Sequence, residues 1–362
     1  MKNNKLTFTA LFACCCSLFI SCDTSQKSEL ITIPVSSAEI TELPLSKIAD
    51  KVESIELEVT DNSLIRNQRI VRVLYTKEYI IVGETGTVML FDKTGKFIRK
   101  IGSTGQGPGE YTSIYDLTVD DKNELLFLYS MGGKIICYDF EGNTVKESPK
   151  GYHQGVSYIK YINNKLLLLT QSSVVIEEVR MNKTTLFTID DNLLKSDSLE
   201  IRKAPSKASG LIRYCDFFNN DNGNIYFYYP DILPDTPVLD TLYQFKNDQL
   251  TSYMNLGFSN KGLNSAGEKA IEILFLYKSS RYVLSFYYDK TQKQSYCFCH
   301  DIMTGNGFNV EDGYMDDFHT KEKVVIRPFE SDANMFYYLH TNIDDSSTDE
   351  PNPTLYIGTL KK

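Results

Sequence analysis

The feature that most constrains the fold is a repeat of four short strand-like runs. From Arg69 onward, apolar runs rich in Ile, Val, Tyr, Phe and Leu recur every 8 to 12 residues, with turn residues between them. The first set is "RIVRVLY", "YIIVGE", "TVMLFDK" and "KFIRKIG", and the second is "SIYDLTVD", "ELLFLYS", "KIICYDF" and "TVKESPK". The third run of each set ends in an aromatic-Asp-x-x-Gly phrase, "FDKTG" and "YDFEG", about 47 residues apart. A four-strand unit repeated at this period is typical of a propeller blade.

Looser copies follow and bring the number of units to six. The third set runs from "VSYIKYIN" to "SLEIRK" and is interrupted by "VVIEEVRMNK", and the fourth runs from "LIRYCDFF" to "LTSYMNLGF". The fifth opens at "AIEILFLYKS", and the sixth, from "KVVIRPFE", has only three runs. The run "KVESIELEV", Lys51 to Val59, is a candidate for the missing strand, because pairing it there would close the ring and remove exposed edges. The sequence therefore predicts an all-β, six-bladed propeller of four-stranded antiparallel blades over residues 46–362.

The first residues have the pattern of a targeting segment. Lys2 and Lys5 precede an apolar run, Leu11 to Ile20, which is too short to span a bilayer and is followed by polar "DTSQKSE". The run ends in "LFISC", where Ser21 before Cys22 resembles a bacterial lipobox; a plain secretory signal is the alternative. We predict a lipoprotein signal peptide at 1–21, lipidation of Cys22 and a linker at 22–45. No later apolar run approaches 18 residues, so we expect membrane contact through the lipid anchor only.

A glycine-rich loop separates the first two units. It contains Gly102, Gly105, Gly107, Pro108 and Gly109. A nucleotide site is disfavoured, because no Lys-Ser/Thr follows and the next segment is a strand rather than a helix. We interpret the loop as a tight crossover between blades, in which Gly tolerates positive φ. Such crossovers border the channel mouth, and four residues are predicted from loop position and charge to contribute to ligand binding: Glu110, Tyr111, Arg213 and Arg281.

The loop phrase "IGSTGQGPGEY" resembles the "IG-x-x-GQGPGEY" phrase of six-bladed β-propeller lipoproteins of Bacteroidetes, relatives of NHL-repeat propellers. The opening "VESIELEVTDNSLI" and the later "DTLYQF" are similar to two further strands of that family, with Val59 in place of a Thr. The resemblance covers most of residues 40–360. It implies the propeller fold, export and a lipid anchor in the cell envelope, at the outer membrane of a Gram-negative bacterium. That family has no established catalytic residues, so none is carried over.

Charge and spacing argue against several kinds of function. Loss of the signal peptide removes two lysines and moves the formal charge from −9 to −11, which argues against nucleic acid as a partner. The four histidines lack the short spacing of a metal site; they are His153, His300, His319 and His340. The run "NNDNGN" has oxygen ligands for calcium but no distal Glu, so a turn is the better interpretation. We predict no catalytic residue, cofactor or metal ligand from these patterns.

The cysteines of the mature chain show no regular disulfide framework. Four remain outside the signal peptide and Cys22: Cys137, Cys215, Cys297 and Cys299. Cys297 and Cys299 lie two apart on one face of a predicted strand, where a bridge would be strained. We expect all four to be buried thiols.

Aromatic residues are abundant, with 24 Tyr, 20 Phe and no Trp. They pack between blades in one interpretation, and form a Tyr-lined platform for a glycan or peptide in another. The sequence predicts a non-enzymatic, monomeric, lipid-anchored propeller that binds a glycan, a peptide or an envelope protein. The alternative is a metal-dependent hydrolase or lyase whose ligands come from several blades around the channel, an arrangement that local spacing cannot reveal.

Overall fold

The structure, a computed structural model, describes residues 30–35, 39–40, 42–66, 69–205, 216–219, 223–230, 240–341 and 351–362. Its strands form six antiparallel sheets arranged as the blades of a propeller, which confirms the predicted fold class. In five of the blades the four strands follow one another in chain order, and the first strand of every blade faces the central axis.

The strands follow the predicted runs closely, as their bounds from the inner to the outer edge show. Blade 1 contains Ile70–Tyr75, Tyr79–Glu84, Val88–Asp92 and Phe97–Lys100. Blade 2 contains Ile114–Asp120, Leu125–Ser130, Lys134–Asp139 and Thr144–Glu147. Blade 3 contains Val156–Ile162, Lys165–Ile176, Val179–Ile189 and Lys195–Pro205.

The second half of the ring repeats the arrangement. Blade 4 contains Asp216–Asn219, Ile225–Tyr229, Thr241–Lys246 and Gln249–Gly257. Blade 5 contains Ile271–Lys278, Tyr282–Asp289, Gln294–Asp301 and Gly307–Glu311. Blade 6 contains Arg327–Phe329, Asp332–His340, Thr354–Leu360 and Ala49–Glu56. Short ladders join Ser103–Thr104 to Glu110–Tyr111 and Tyr314–Met315 to Lys323–Val324, and 3-10 turns form at Leu45–Lys47 and Ser259–Gly262.

The ring closes through the N-terminal strand of blade 6. Ala49–Glu56 pairs antiparallel with Thr354–Leu360, so that Val52 faces Gly358 across the ladder. Ile55 packs with Ile80 of blade 1 in one apolar cluster, so the closing strand also contacts the next blade. The predicted closure is therefore correct, although the strand begins two residues earlier than the run that suggested it.

Part of the segment predicted as a linker belongs to the sheets. Ile31–Pro34 runs parallel to the outermost strand of blade 4, with Ile31 opposite Met254. Glu39–Ile40 runs parallel to the outermost strand of blade 5. The chain therefore follows the outside of two blades before it completes blade 6, and these additions cover backbone edges that would otherwise be open to other chains.

The run "VVIEEVRMNK" does not interrupt blade 3 but extends it. The second and third strands of this blade form a long hairpin that pairs as far as Ile176 with Val179. Glu177 and Glu178 make the turn with φ values of 49° and 68°, the positive values that a two-residue hairpin turn of the favoured hand requires. The ladder between these two strands is continuous from Leu166 opposite Ile189 to the turn, so the hairpin extends beyond the length of the other blades.

Aromatic side chains fill the spaces between blades, as the first interpretation of their abundance predicts. Phe217 and Phe227 stack with ring centroids 4.4 Å apart, in a cluster that joins blades 3 and 4. The fully buried aromatic side chains of the described residues include Tyr111, Tyr138, Tyr158, Tyr228, Tyr277, Tyr314, Phe91, Phe217, Phe227, Phe298, Phe329 and Phe336. In the described part of the chain, no helix is long and apolar enough to cross a bilayer.

Three of the predicted buried thiols are described and are as expected. Cys137, Cys297 and Cys299 are buried and free, and burial raises the pKa of the Cys137 thiol to about 11. Cys215 lies outside the described residues.

Gly358 provides a test of packing at the closing blade. A Cβ added there would overlap the ring of Phe336, a fully buried side chain on the neighbouring strand. We expect Gly358→Ala to reduce the free energy of unfolding by about 1–3 kcal/mol in urea titrations, because the ring has no room to move. Gly86→Ala is the control, since a Cβ added at Gly86 would have no atom within 4 Å and its stability change should stay within about 0.5 kcal/mol. Equal effects of the two substitutions would contradict this account of the closing blade.

Candidate functional site

The inner strands enclose a cavity of about 640 Å³ on the axis of the ring. Its lining comes mostly from the first residues of the inner strands, together with Thr85 and Met131 in turns between second and third strands. Both positions lie at the same end of the ring. We call this end the mouth face, the face at which the inner strands begin.

The walls of the cavity are largely aromatic and aliphatic. Phe275 and Phe286 of blade 5 stack there with centroids 5.8 Å apart. Tyr115 of blade 2 and Tyr337 of blade 6 lie in the same lining. Other apolar contributors are Ile70, Val71, Leu274, Val325 and Pro328. A ligand inside the ring would therefore meet mostly apolar surface on its sides.

The floor is polar and centres on the guanidinium of Arg72. Its Nε donates to Asp116 Oδ1 at 2.7 Å, and its Nη1 donates to Asp216 Oδ1 at 3.0 Å. The same Nη1 also donates to Glu330 Oε1. These four residues belong to blades 1, 2, 4 and 6, so one side chain joins four blades at the axis.

Blade 3 completes the arrangement. Lys160 donates to Glu330 Oε2, and the Tyr158 hydroxyl donates to Glu330 Oε1 at 3.2 Å. The backbone N–H of Ile159 donates to Asp116 Oδ2 at 2.9 Å. We call Arg72, Asp116, Lys160, Asp216 and Glu330 the central ion cluster. Its groups sit deep in the ring, where a charge without a partner would be costly.

The cluster contains three carboxylates and two cations, and its pKa values reflect this imbalance. Burial opposes the charge on Arg72, but the surrounding carboxylates outweigh burial and raise the pKa of the guanidinium. Burial also acts against ionised Glu330, yet Arg72 and Lys160 lower the pKa of this carboxyl below its usual value. Burial raises the pKa of the Asp116 and Asp216 carboxyls despite Arg72, and it raises that of Asp216 further, to about 7. Asp216 is therefore the cluster member whose charge is least compensated.

Comparison with known proteins places the chain in a family. The model of a domain of unknown function, DUF4934, matches residues 30–356. The chain belongs to this family. A crystal structure of a protein described as exported, from Bacteroides fragilis NCTC 9343, is similar with a TM-score of 0.62 and 15% identity, and the match covers 91% of this chain and 100% of that one. This likeness shows the fold.

Two further solved structures are more distant. The propeller domain of Cps50 (Swd1) from Myceliophteria thermophila has a TM-score of 0.43 at 13% identity, covering 82% of this chain and 98% of that one. An oligogalacturonate lyase in complex with manganese has a TM-score of 0.42 at 11% identity, covering 89% and 99%. Among curated proteins, none matches the chain.

In this DUF4934 chain the glycine loop packs on blade 2 at the mouth face. Gly102 and Gly109 have φ values of 67° and 69°, and a Cβ at Gly102 would lie 2.7 Å from the Tyr138 ring. The Tyr138 hydroxyl donates to Gly109 O at 2.7 Å, and Glu110 accepts a hydrogen bond from Gly107 N at 2.8 Å. The loop thus has close contacts on several sides that leave little room for side chains.

The predicted binding residues do not come together. Glu110 stabilises its own loop, Tyr111 is buried in the apolar cluster between blades 1 and 2, and neither lines the cavity. Arg281 lies in the turn between the first two strands of blade 5, on the face opposite the mouth, and its Nη2 donates to Asp301 Oδ2 at 2.8 Å. Arg213 and Cys22 lie outside the described residues. A binding role for these side chains stays a prediction.

The histidines are dispersed as their spacing suggested. His153 is fully buried, with Nε2 2.8 Å from Leu193 O, and His319 Nε2 lies 2.9 Å from Val52 O. Within the residues that the structure describes, no three His, Cys, Asp or Glu side chains are grouped to hold a metal ion.

Sequence reasoning missed the central ion cluster, although a signal was present. In all six units, the strand-like run nearest the axis or the residue directly after it carries a charged residue among apolar ones, and in five of them such a residue belongs to the central ion cluster. The residues concerned are Arg72, Asp116, Lys160, Asp216 and Glu330. Charged side chains are rarely buried unless they are paired, so a charge that recurs in the most buried strand of each repeat could have indicated a polar axis.

Removal of the shared cation should destabilise the ring. We expect Arg72→Met to lower the free energy of unfolding by about 3–5 kcal/mol, because three carboxylates lose their common partner. Arg99→Met removes an arginine from a pair at the protein surface, with Glu141, and should cost less than about 1 kcal/mol. Urea unfolding at pH 7.5 measures both, and similar losses for the two variants would refute the central role of Arg72.

Asp216 should make stability depend on pH. An acid whose pKa is higher in the folded than in the unfolded protein costs stability as pH rises from its unfolded value, about 3.9, toward its folded value, about 7. Asp216→Asn removes this cost, so the variant should gain stability relative to wild type between pH 5 and pH 8. Asp248→Asn, at an exposed carboxylate, is the matched control. A stability difference between Asp216→Asn and wild type that stays constant over this range would contradict the expectation.

Proposed function

We propose that the chain is a binding protein that takes a small molecule, or a protruding segment of a partner, into the central cavity from the mouth face. The observation that carries this proposal is the cavity itself, which combines apolar walls with a charged floor. Ligand sites are typically concave, mostly apolar and equipped with a few convergent polar groups. Their volumes run from about 300 to 1,000 Å³, and the cavity of about 640 Å³ falls in this range.

The composition of the floor favours binding over metal-assisted hydrolysis or lyase chemistry. A catalytic cation would need the carboxylates at the axis as ligands. Those of Asp116 and Glu330 are already bonded to Arg72 and Lys160, the protein's own cations. The carboxylates of Asp116 and Glu330 are thus engaged in holding the blades together.

Export and a lipid anchor on Cys22 are part of the proposal. Support comes from the apolar run before Cys22 and from the polar stretch that follows it. The similar protein from Bacteroides fragilis is described as exported. An anchored propeller of this kind would present its cavity in the cell envelope, where its ligand would be a glycan, a peptide or part of an envelope protein.

The cavity can be filled without disturbing the clusters that hold the blades. Leu274 lines the cavity and is half-buried, and it is not a member of the apolar clusters between blades. We expect Leu274→Trp to weaken binding of any cavity ligand at least tenfold, because the indole occupies part of the space. Met303→Trp places the same side chain on an exposed turn, where Met303 is 73% accessible, and should leave binding unchanged.

The measurement is a thermal-shift screen of peptides, amines and sugars on the wild-type protein, followed by titration of each hit on the two variants. Hits that bind Leu274→Trp and wild type equally would overturn the assignment of the cavity as the site.

A further inference from the structure

We propose that the cavity ligand is a short peptide of two or three residues, whose free amino terminus binds the Asp216 carboxylate and whose carboxyl terminus reaches the arginines at the rim. This inference names the ligand of the proposed function and therefore rests on it. Four features of the cavity support it: the bonding state of Asp216, the charge of the floor, the charge of the rim and the character of the walls.

Asp216 is the floor carboxylate with unused bonding capacity. Asp116 accepts from Arg72 and from the N–H groups of Leu117 and Ile159. Glu330 accepts from Arg72, Tyr158 and Lys160. Within the described part of the chain, Asp216 accepts one hydrogen bond, from an Arg72 nitrogen that it shares with Glu330.

Asp216 is also the floor carboxylate that a ligand can reach. Its side chain is 27% exposed, against 4% for Asp116 and 9% for Glu330. It lines the cavity, and its Oδ2 has no hydrogen bond to any other described residue. A donor on the ligand would therefore find an accessible acceptor at Asp216.

The charge of the floor favours a cationic donor. Three carboxylates face two cations, so the floor has one excess negative charge once Asp216 is ionised, in surroundings that penalise it. A neutral hydroxyl would supply a hydrogen bond but leave that charge uncompensated. An ammonium group supplies both, and bonds between ionised partners are roughly twice as strong as neutral ones.

The rim favours an anionic group at the other end of the ligand. Arg69 and Arg327 line the mouth of the cavity and are exposed. They disfavour a simple cation as ligand but suit a zwitterion. Arg69 and Arg72 are three positions apart in the chain, so their Cα atoms are at most about 11 Å apart. An extended peptide of two or three residues covers a similar length.

The walls suit the side chains of such a peptide. Phe275 and Phe286 offer an apolar surface on blade 5, and Tyr115 and Tyr337 offer rings on blades 2 and 6. Aromatic faces also attract a nearby ammonium group. Apolar side chains on the peptide would therefore be buried while its two charged ends meet the floor and the rim.

Binding of an amine should depend on pH. Asp216 must be ionised to accept the ammonium group, and burial holds its pKa near 7 in the empty cavity. The titratable groups on neighbouring elements are Arg72, Asp116, Tyr158, Lys160, Arg327, Glu330 and Tyr337. Affinity should rise from pH 6 to pH 7.5 and fall as the peptide amine, with a pKa of about 8, loses its proton.

The experiment uses a tryptophan introduced into a chain that has none. Phe286→Trp exchanges one aromatic ring for another in the cavity wall and serves as the reporter background, and calorimetry with the wild-type protein checks that the reporter keeps the wild-type affinity. The probes are the tripeptide Ala-Leu-Ala, its N-acetylated form and its C-amidated form. Each is titrated into the reporter alone and into the reporter carrying Asp216→Asn or, as the control, Asp248→Asn.

We expect the free tripeptide to bind the reporter, and N-acetylation and C-amidation each to weaken binding, the former at least tenfold. Asp216→Asn should weaken the free peptide at least tenfold, remove the difference between free and acetylated peptides, and abolish the rise in affinity from pH 6 to 7.5. Asp248→Asn should change none of these. Equal binding of free and acetylated peptides, or no effect of Asp216→Asn, would overturn the inference.

The screen of amines, peptides and sugars separates this inference from the proposed function. Suppose that the peptides do not bind, but that a ligand without an amine binds the wild-type protein and binds Leu274→Trp more weakly. That result would overturn the peptide as the ligand and support the cavity as the binding site. If no compound binds in a way that depends on Leu274, both the peptide and the cavity assignment fail.

Discussion

The structure depends at its centre on one guanidinium shared among carboxylates of three other blades. Arg72 reaches from the first blade to Asp116, Asp216 and Glu330, and Lys160 supports it from the third blade. A propeller brings the inner strands of all its blades to one axis, where space is limited and water is partly excluded. Charged groups placed there must satisfy one another, because each would be costly alone. The cluster therefore fixes the relative positions of the blades and forms the floor of the cavity.

Closure at the periphery complements this central contact. Ala49–Glu56 completes the last blade, so a strand from the N-terminal part of the chain shares a sheet with the strand at its C-terminal end. Before that strand, Ile31–Pro34 and Glu39–Ile40 run along the outer edges of blades 4 and 5. The ring is thus held at its axis by ionic contacts and at its rim by backbone pairing. A cavity enclosed in this way keeps its shape without a ligand, which reduces the entropy that binding must overcome.

The sequence predicts the blades well, because strand periodicity, turn residues and the "FDKTG" and "YDFEG" phrases are local signals. It also predicts the closing strand, since a unit with three strands needs a fourth. It does not predict the floor, whose members are distant along the chain; Arg72 and Glu330 are 258 residues apart. Loop position and charge suggested Glu110 and Arg281 instead, and these meet partners close to their own blades. These charges meet at the axis only when the ring is closed, so local sequence patterns do not show which of them will meet.

The excess of carboxylates over cations in the floor connects the stability of the fold with the proposed binding of a ligand. If folding alone had shaped the cluster, a neutral residue in place of Asp216 would leave two carboxylates for two cations and no excess charge. The carboxylate at this position is instead the most accessible of the three and has a pKa raised to about 7 by burial. A charge that costs stability in the empty ring is one that a ligand can compensate on binding, since any group that binds only the folded state stabilises it. Among the described residues Asp216 Oδ2 has no hydrogen-bond partner, so under the proposed function it is the atom at which a group of opposite charge would add most to the stability of the folded ring.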